Sequence, residues 1–302
     1  MPMKSVINII EDFKLKLNAT YGEKEVMQFI YILFEEYLNW AKTQINYAYT
    51  AILTEEQSNL FQSALEALEK DKPIQYIIGK TWFNGNEYIL NAAVLIPRPE
   101  TEELCILIKN DNIHQQFHEF SILDIGTGSG IIAIDLQLQF PYSKVKAIDL
   151  SEESLSVARI NANKHNCDID FQQMNILDPF VTSSQEKYDL IVSNPPYVLE
   201  SERHLMCRNV TAYEPQLALY VPDEDPLLFY KAITEYAMKH LIRPGNLYFE
   251  INEKFGKEVK SLLHVQGFSR VEIVKDIQGK DRFIKAELKP SLHDNSYWYA
   301  DK

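Results

Sequence analysis

The spacing of apolar positions divides the chain into two parts with different patterns. Up to about Lys72 these positions recur at intervals of three and four residues, as on one face of an amphipathic helix. The first two series are Val6, Ile9, Ile10, Phe13 and Leu17, then Val26, Phe29, Ile30, Leu33, Phe34, Tyr37 and Leu38. A further series begins at Thr54, which has capping-box spacing with Gln57, and Pro73 ends it. We therefore predict a helical bundle over residues 1–72.

A β-hairpin is predicted in the segment that follows. Asn84-Gly85-Asn86 lies between the apolar runs 82–83 and 88–90, and Asn-Gly between such runs is a strong hairpin signal because both residues tolerate positive φ. We predict that this hairpin, within residues 73–95, connects the bundle to the rest of the chain.

Beyond the hairpin, short apolar runs alternate with helical stretches, which indicates βαβ units and a parallel sheet. Strands are predicted at 121–125, 144–148, 169–174, 188–193 and 246–251, with helices at 130–140, 152–165 and 226–240. The last two runs, 271–275 and 282–287, are joined by a loop too short for a helical crossover, so they form an antiparallel pair. The predicted fold class is α/β: residues 96–289 form a Rossmann-like, doubly wound seven-stranded sheet with its last strand antiparallel, and residues 290–302 are a polar tail.

Charge and cysteine content argue against several classes of protein function. The chain carries 30 basic and 43 acidic side chains, a net charge of −13, and neither half is basic, so we expect no direct nucleic-acid binding. Three separated cysteines give neither a disulfide framework nor a zinc cluster, and we expect reduced thiols in the cytoplasm. His114 and His118 are four residues apart but lack a third ligand, so we expect a solvated helix face there and predict no metal site. No signal peptide or membrane span is recognisable, and we expect a monomer.

A glycine-rich turn is the first motif with chemical content. The segment 124–130, Asp-Ile-Gly-Thr-Gly-Ser-Gly, follows a predicted strand and opens a helix, where glycines let a ligand approach the backbone. The carboxylate of Asp124 favours a ligand with a cationic amino group over a pyrophosphate. Asp149 ends the next strand, where a carboxylate can accept hydrogen bonds from both ribose hydroxyls. The motif therefore predicts a nucleoside site without phosphates, and the alternative is a purely structural turn.

The second motif is Asn194-Pro195-Pro196-Tyr197, directly after the strand 188–193. The two prolines restrict φ and hold the Asn194 side-chain oxygen and the Pro195 carbonyl as two fixed acceptors, which match one NH₂ group. Accepting both protons aims the nitrogen at an electrophile, and Tyr197 could stack on the planar group. The alternative is a proline-rich turn without a catalytic role.

Together these motifs resemble class I S-adenosylmethionine-dependent methyltransferases that act on a planar nitrogen. The segments 72–79, 95–102 and 213–219 are similar to segments of the HemK/PrmC family of release-factor glutamine methyltransferases. The resemblance covers residues 72–288. It implies methylation of the side-chain amide of the glutamine in the Gly-Gly-Gln loop of peptide-chain release factors, an in-line displacement that needs no metal and leaves S-adenosylhomocysteine. From its position in the chain alone, we expect the N-terminal bundle to dock the release factor.

The resemblance also assigns residues. Asp149 is expected to bind the ribose of the cofactor, and Asn175 and Ile176 the adenine. The methionine part is expected to contact Asp124, Gly126, Thr127, Gly128, Ser129 and Gly130. Asn175 stands where the family commonly has an acid. Asn194, Pro195 and Tyr197 are the catalytic candidates, Asn194 also bordering the cofactor. Substrate contacts are expected from Asn194, Pro195, Pro196, Tyr197, Arg98, Glu100 and Glu214. Arg98 and Glu100 would equally suit the start of a helix whatever the function.

Two other functions remain open on the sequence. The Asn-Pro-Pro-aromatic motif serves any planar NH₂, so an exocyclic-amino methyltransferase on adenine or guanine of DNA or rRNA is the first alternative, although such an enzyme needs a basic groove. The second alternative is a non-catalytic nucleoside-binding protein.

Overall fold

A computed structural model describes residues 3–178 and 185–289, and the predicted tail 290–302 lies outside them. The chain divides into two units. The helical unit comprises Met1–Lys80 and Cys207–Tyr213, and the sheet unit comprises Thr81–Met206 and Glu214–Lys302.

The helices of the helical unit bury the faces predicted from their spacing. They are α1 (Val6–Tyr21), α2 (Glu23–Leu38), α3 (Lys42–Tyr47), α4 (Glu55–Leu68) and α5 (Ile74–Ile78). The capping box at α4 is confirmed, since the Thr54 hydroxyl accepts from the Gln57 N–H and the Gln57 side chain accepts from the Thr54 N–H. Phe34 and Phe61, with ring centroids 4.5 Å apart, lie in the core of this unit. α5 was not predicted, because five residues are too few for a helical period to be recognised.

The predicted hairpin is present as β1 (Lys80–Phe83) and β2 (Asn86–Ile89). Asn84 and Gly85 between them both have positive φ, 45° and 78°, as a two-residue hairpin turn requires.

The sheet unit contains a seven-stranded sheet, which confirms the predicted fold class. Its strands are β3 (Phe120–Ile125), β4 (Ser143–Asp149), β5 (Ile169–Gln173), β6 (Tyr188–Ser193), β9 (Leu241–Glu250), β10 (Phe268–Lys275) and β11 (Asp281–Leu288). The spatial order is β10-β11-β9-β6-β3-β4-β5, and β11 alone runs in the opposite direction to the other six strands. The chain order reverses between β3 and β6, which is the position where open α/β sheets bind ligands.

Helices cover both faces of this sheet. They are α6 (Pro99–Asp111), α7 (Ile131–Gln139), α8 (Glu152–Lys164), α10 (Leu228–His240) and α11 (Gly256–Val265). Neighbouring residues of β3 face opposite cores: Ile122 packs with residues of α6 and α7, and Leu123 packs with residues of α10 and α11. α11 was not predicted, although the buried pair Val259 and Leu263 has helical spacing.

Two other sequence predictions needed correction. β9 begins at Leu241 rather than at residue 246, because Leu241 already pairs with Tyr188 before the register irregularity that Pro244-Gly245 accompanies. His114 and His118 do not share a helix face, since His114 lies in the 3-10 helix Ile113–Gln115 and His118 in a bend; both are exposed.

The long segment after β6 is folded rather than extended. It contains the two-stranded pair β7 (Val198–Leu199) and β8 (Tyr220–Val221), the 3-10 helices Glu200–Leu205 and Gln216–Ala218, and the short helix α9 (Arg208–Tyr213).

Candidate active site

Strand register brings the two sequence motifs to one edge of the sheet. Ile125 pairs with Ile148 on one side and with Ser193 on the other, so the next residue of each strand end, Gly126, Asp149 and Asn194, lies at the same edge of the sheet. The Ser193 hydroxyl donates to the Ile125 carbonyl at 2.6 Å, which fastens the two strand ends together.

The glycine loop, residues 126–130, is held by its own backbone. The N–H groups of Gly126 and Thr127 both donate to the Ile148 carbonyl, at 2.8 and 3.0 Å. Gly126, Gly128 and Gly130 have φ of 76°, 56° and 80°, which only glycine adopts without strain. The backbone conformation of this turn therefore explains why the sequence has glycine at all three positions.

The three glycines face different surroundings. A Cβ at Gly126 or Gly128 would meet no atom within 4 Å, so open space borders the loop there. A Cβ at Gly130 would lie 2.9 Å from the Cβ of Ala158 on α8. Gly126 and Gly128 therefore form an open cradle, whereas Gly130 allows the loop to pack on a neighbouring helix.

Asp124 lies beneath this cradle as a fully buried carboxyl group. Its Oδ2 accepts the Thr127 hydroxyl at 2.6 Å, and its Oδ1 is buried without a partner in hydrogen-bond geometry. Burial raises the pKa of Asp124 to about 7, an effect that the Thr127 hydroxyl and the Ala133 N–H partly offset. A cation beside Oδ1 would supply the missing partner.

Asp149 is fixed by backbone donors at the end of β4. Its Oδ2 accepts the Gly128 N–H at 2.8 Å and its Oδ1 accepts the Ser151 N–H at 2.9 Å. Burial raises the pKa of Asp149, and these N–H groups oppose the increase. Each carboxylate oxygen keeps a second lone pair for a ligand hydroxyl.

Asn194 and Tyr197 of the second motif are bound by side chains from distant parts of the chain. Asn194 Nδ2 donates to Thr101 Oγ1 at 3.2 Å, and the Tyr197 hydroxyl donates to Glu250 Oε1 at 3.0 Å. The Tyr197 carbonyl accepts from Asn252 Nδ2 at 3.0 Å. Among the described residues no donor occupies Asn194 Oδ1, so that oxygen can accept from a substrate.

Sequence reasoning missed Glu250. It follows the apolar residues Tyr248 and Phe249 in β9, and Phe249 pairs with Ser193, so Glu250 lies next to Asn194. The Thr101 hydroxyl donates to Glu250 Oε2 at 2.8 Å. Burial raises the pKa of Glu250, opposed by its hydrogen bonds to Thr101 and Tyr197. An acid inside an apolar strand was the available signal, although the sequence does not identify its partners.

Arg98 and Glu214 form an ion pair. The guanidinium donates to Glu214 Oε1 at 2.7 Å, and the Ile96 N–H donates to Oε2 at 3.2 Å. Glu214 is buried, and each of its two carboxylate oxygens accepts one of these hydrogen bonds. This pair joins the segment before α6 to the segment before β8, and its predicted role toward the substrate stays a prediction.

Three further candidates, within the described residues, form no hydrogen bond to the glycine loop, the two aspartates or the Asn194–Tyr197 motif. Asn175 and Ile176 follow β5, and the Asn175 side chain accepts from the Leu177 N–H at 3.0 Å within a turn. Glu100 lies in the first turn of α6. Their roles stay predictions.

Neither a metal site nor a membrane-spanning helix is found within residues 3–178 and 185–289. No group of three or more His, Cys, Asp or Glu side chains there has the arrangement of a metal site. Within the same ranges, no helix has both the length and the apolar character needed to cross a bilayer.

Two family models match different parts of the chain. The Methyltransferase small domain model matches residues 106–212, and the PrmC N-terminal domain model matches residues 10–79. A methyltransferase structure from Pyrococcus furiosus has a TM-score of 0.51 at 17% identity, and it covers 78% of this chain and 100% of that one, which supports the fold.

Curated relatives identify the family. A release factor glutamine methyltransferase of Bacteroides thetaiotaomicron is 43% identical over 236 residues, covering 78% of this chain and 83% of that protein. One of Flavobacterium psychrophilum is 41% identical over 283 residues, covering 93% of this chain and 99% of that protein. Because these relatives are more than 40% identical over 78% and 93% of this chain, the chain belongs to the release factor glutamine methyltransferase family.

Proposed function

We propose that this protein transfers a methyl group from S-adenosylmethionine to the side-chain amide nitrogen of the glutamine in the Gly-Gly-Gln loop of peptide-chain release factors. Two of its curated relatives are named release factor glutamine methyltransferase, which supports methylation of a release-factor glutamine. The observation that carries the proposal is the Asn194 amide, which is held through Nδ2 and leaves Oδ1 available, at the same sheet edge as the glycine cradle.

The groups at the cradle fit the proposed cofactor. Asp124 Oδ1, buried without a partner, suits the cationic amino group of a methionine moiety. Asp149, fixed by two backbone donors, suits the hydroxyl pair of a ribose. The open space beside Gly126 and Gly128 leaves room for a ligand against the backbone. When bound, the cofactor supplies an electrophilic methyl group on a sulfonium.

The second motif supplies the geometry for the acceptor. Asn194 Oδ1 and the Pro195 carbonyl accept the two protons of the substrate NH₂, which turns the nitrogen toward the methyl group. Both acceptors also stabilise the positive charge that develops on that nitrogen. The C–N bond would form as the methyl–sulfur bond breaks, and the nitrogen would then give up one of its two protons to solvent. The two prolines keep the acceptors from reorienting.

A parallel methyl-transfer assay tests this function. The full chain is supplied with S-adenosylmethionine and, separately, with unmethylated release factor, duplex DNA and ribosomal RNA. We expect one methyl group on the Gly-Gly-Gln peptide by mass mapping, and none on release factor in which that glutamine is replaced by asparagine.

The other outcomes overturn the proposal in distinct ways. Label on nucleic acid alone would assign the protein to base methylation, which its net charge of −13 disfavours. Cofactor binding without transfer to any of the three substrates would indicate the non-catalytic nucleoside-binding function.

A further inference from the structure

A chain of hydrogen bonds between side chains runs behind Asn194. Asn194 Nδ2 donates to Thr101 Oγ1 at 3.2 Å, and the Thr101 hydroxyl donates to Glu250 Oε2 at 2.8 Å. The Tyr197 hydroxyl donates to the other Glu250 oxygen at 3.0 Å. We call Asn194, Thr101, Glu250 and Tyr197 the amide relay. It ends on a buried carboxylate, which makes it directional.

The direction follows from counting protons. A hydroxyl has one proton, and Thr101 gives its proton to Glu250, so only lone pairs of Thr101 face Asn194. The Asn194 oxygen at that place would meet those lone pairs, whereas its NH₂ group can donate to them. A carboxylate accepts only, so an ionised Glu250 cannot reverse the order. The amide of Asn194 is thereby held with Nδ2 inward and Oδ1 outward.

The surroundings of Glu250 support its role as the acceptor. Two hydroxyl donors, from Thr101 and Tyr197, point at its two oxygens. Burial raises the pKa of Glu250; these two hydroxyl donors and the guanidinium of Arg282 oppose the increase, and the carboxylate of Glu100 adds to it. The Tyr230 hydroxyl donates to the Glu250 backbone carbonyl at 3.3 Å and leaves the side chain free for the relay.

We propose that Glu250 and Thr101 are positioning residues, which fix the side-chain orientation of Asn194 so that its oxygen faces the substrate amide. This inference rests on the proposed function. Neither residue touches the reacting atoms. Their contribution is to exclude the flipped amide, in which Asn194 would present two donors to a substrate group that itself needs two acceptors.

Matched substitutions test the relay. Thr101→Val keeps the shape but removes the hydroxyl, and Glu250→Gln adds an NH₂ group that can donate to Thr101 and so reverse the order. We expect each to lower kcat tenfold to a hundredfold and to change the affinity for S-adenosylhomocysteine less than twofold. Thr101→Ser restores the hydroxyl and recovers most of the kcat.

A control separates the relay from general stability. Thr234 is another fully buried threonine of the sheet unit, and its hydroxyl donates to the Tyr230 carbonyl at 2.6 Å. Thr234→Val removes a buried hydroxyl that bonds no member of the amide relay, so we expect it to lower Tm and to leave kcat within twofold. If Thr101→Val lowers kcat no more than Thr234→Val does, the relay has no positioning role.

Two further measurements make the result specific to Asn194. In the Asn194→Ala background, adding Thr101→Val should lower kcat no further, because the group that it positions is absent; an additive loss would overturn the proposal. The side-chain amide signal of Asn194 in ¹⁵N-asparagine-labelled protein, assigned by its loss in Asn194→Ala, should shift in Glu250→Gln and not in Thr234→Val. An unshifted signal would also overturn it.

The side-chain amide signal of Asn194 can be measured without substrate, so it tests the relay independently of the proposed function. If the wild-type protein fails to methylate release factor while Glu250→Gln shifts that signal, the proposed function fails and the relay stands. If methylation proceeds and neither Thr101→Val nor Glu250→Gln affects kcat, the relay fails and the proposed function stands.

Discussion

The cradle half and the amide half of the candidate active site are built from different kinds of contact. The cradle half consists of Asp124, the glycine loop and Asp149, and backbone N–H groups make most of its hydrogen bonds. The amide half consists of the amide relay, in which side chains bond side chains across 93, 149 and 53 positions of the chain.

This difference predicts how each half tolerates substitution. A turn held by backbone hydrogen bonds depends on which residues can adopt positive φ, so its weak points are its glycines. A relay of side chains depends on the number and direction of protons that each group carries, so it is sensitive even to isosteric changes. Substitutions should therefore impair the cradle half by straining its backbone, and the amide half by changing which groups donate and accept hydrogen bonds.

The largest effect is expected from Asn194→Ala, which breaks the amide half alone. Removing an acceptor for the substrate amide should lower kcat about a hundredfold to a thousandfold, while cofactor affinity stays unchanged. Turnover of the variant and its calorimetric affinity for S-adenosylhomocysteine provide the check. Unchanged turnover would remove Asn194 from the catalytic groups.

The second comparison lies within the glycine loop. Gly130→Ala should lower the free energy of unfolding by about 2 to 4 kcal/mol, because its Cβ would lie 2.9 Å from the Cβ of Ala158 and its φ is positive. Gly126→Ala has the same backbone strain but open space, and should cost about 1 kcal/mol. Urea denaturation measures both, and equal losses would contradict the division between packing and cradle.

The third prediction isolates the cradle half. Asp149→Ala removes the acceptor of the Gly128 and Ser151 N–H groups and of the proposed ribose hydroxyls. We expect it to weaken S-adenosylhomocysteine binding by about 1 to 3 kcal/mol. Titration calorimetry measures this, and an affinity equal to that of the wild type would refute the role. At saturating cofactor its kcat should fall far less than that of Asn194→Ala.

The smallest effect is a pH dependence of the cradle half. Burial raises the pKa of Asp124 to about 7, so the free protein loses the negative charge there as the pH falls below 7. A cationic amino group needs the ionised form, so affinity for S-adenosylhomocysteine should rise about tenfold from pH 5.5 to 7, about 1.4 kcal/mol. Over this range the ligand's own amino group stays protonated.

Asp124→Asn provides the control for this titration. It keeps the shape of the side chain but carries no charge at any of these pH values, so its affinity should be lower and nearly independent of pH. A wild-type profile as flat as that of the variant would show that Asp124 does not bind the amino group.

The same titration affects folding with the opposite sign. Because the pKa of Asp124 is raised from 3.8 to about 7, its contribution to stability is fully present below pH 3.8 and is lost as the pH rises through 7. Binding of a cationic ligand near pH 7 therefore favours the ionised carboxylate of Asp124, which burial disfavours.

Much of the fold was predictable because its signals are local. The Asn84-Gly85 turn, the Thr54 cap and the strand 188–193 were each recognised from a few neighbouring residues. The failures were α5, α11 and the start of β9. α5 is too short for a period, and Leu241 joins the sheet through pairing with Tyr188, a contact that the local sequence does not specify.

The candidate site divides in the same way. By itself the sequence determined the glycine loop, Asp149 and the Asn194–Tyr197 motif, because positive φ, restricted proline backbones and strand ends are properties of residues close together in the chain. Only the tertiary structure decided that Glu250 lies next to Asn194, and that Arg98 neutralises Glu214. Those pairings depend on strand register and chain crossings, which bring together Glu250 and Asn194, 56 positions apart, and Arg98 and Glu214, 116 positions apart. No local propensity encodes them.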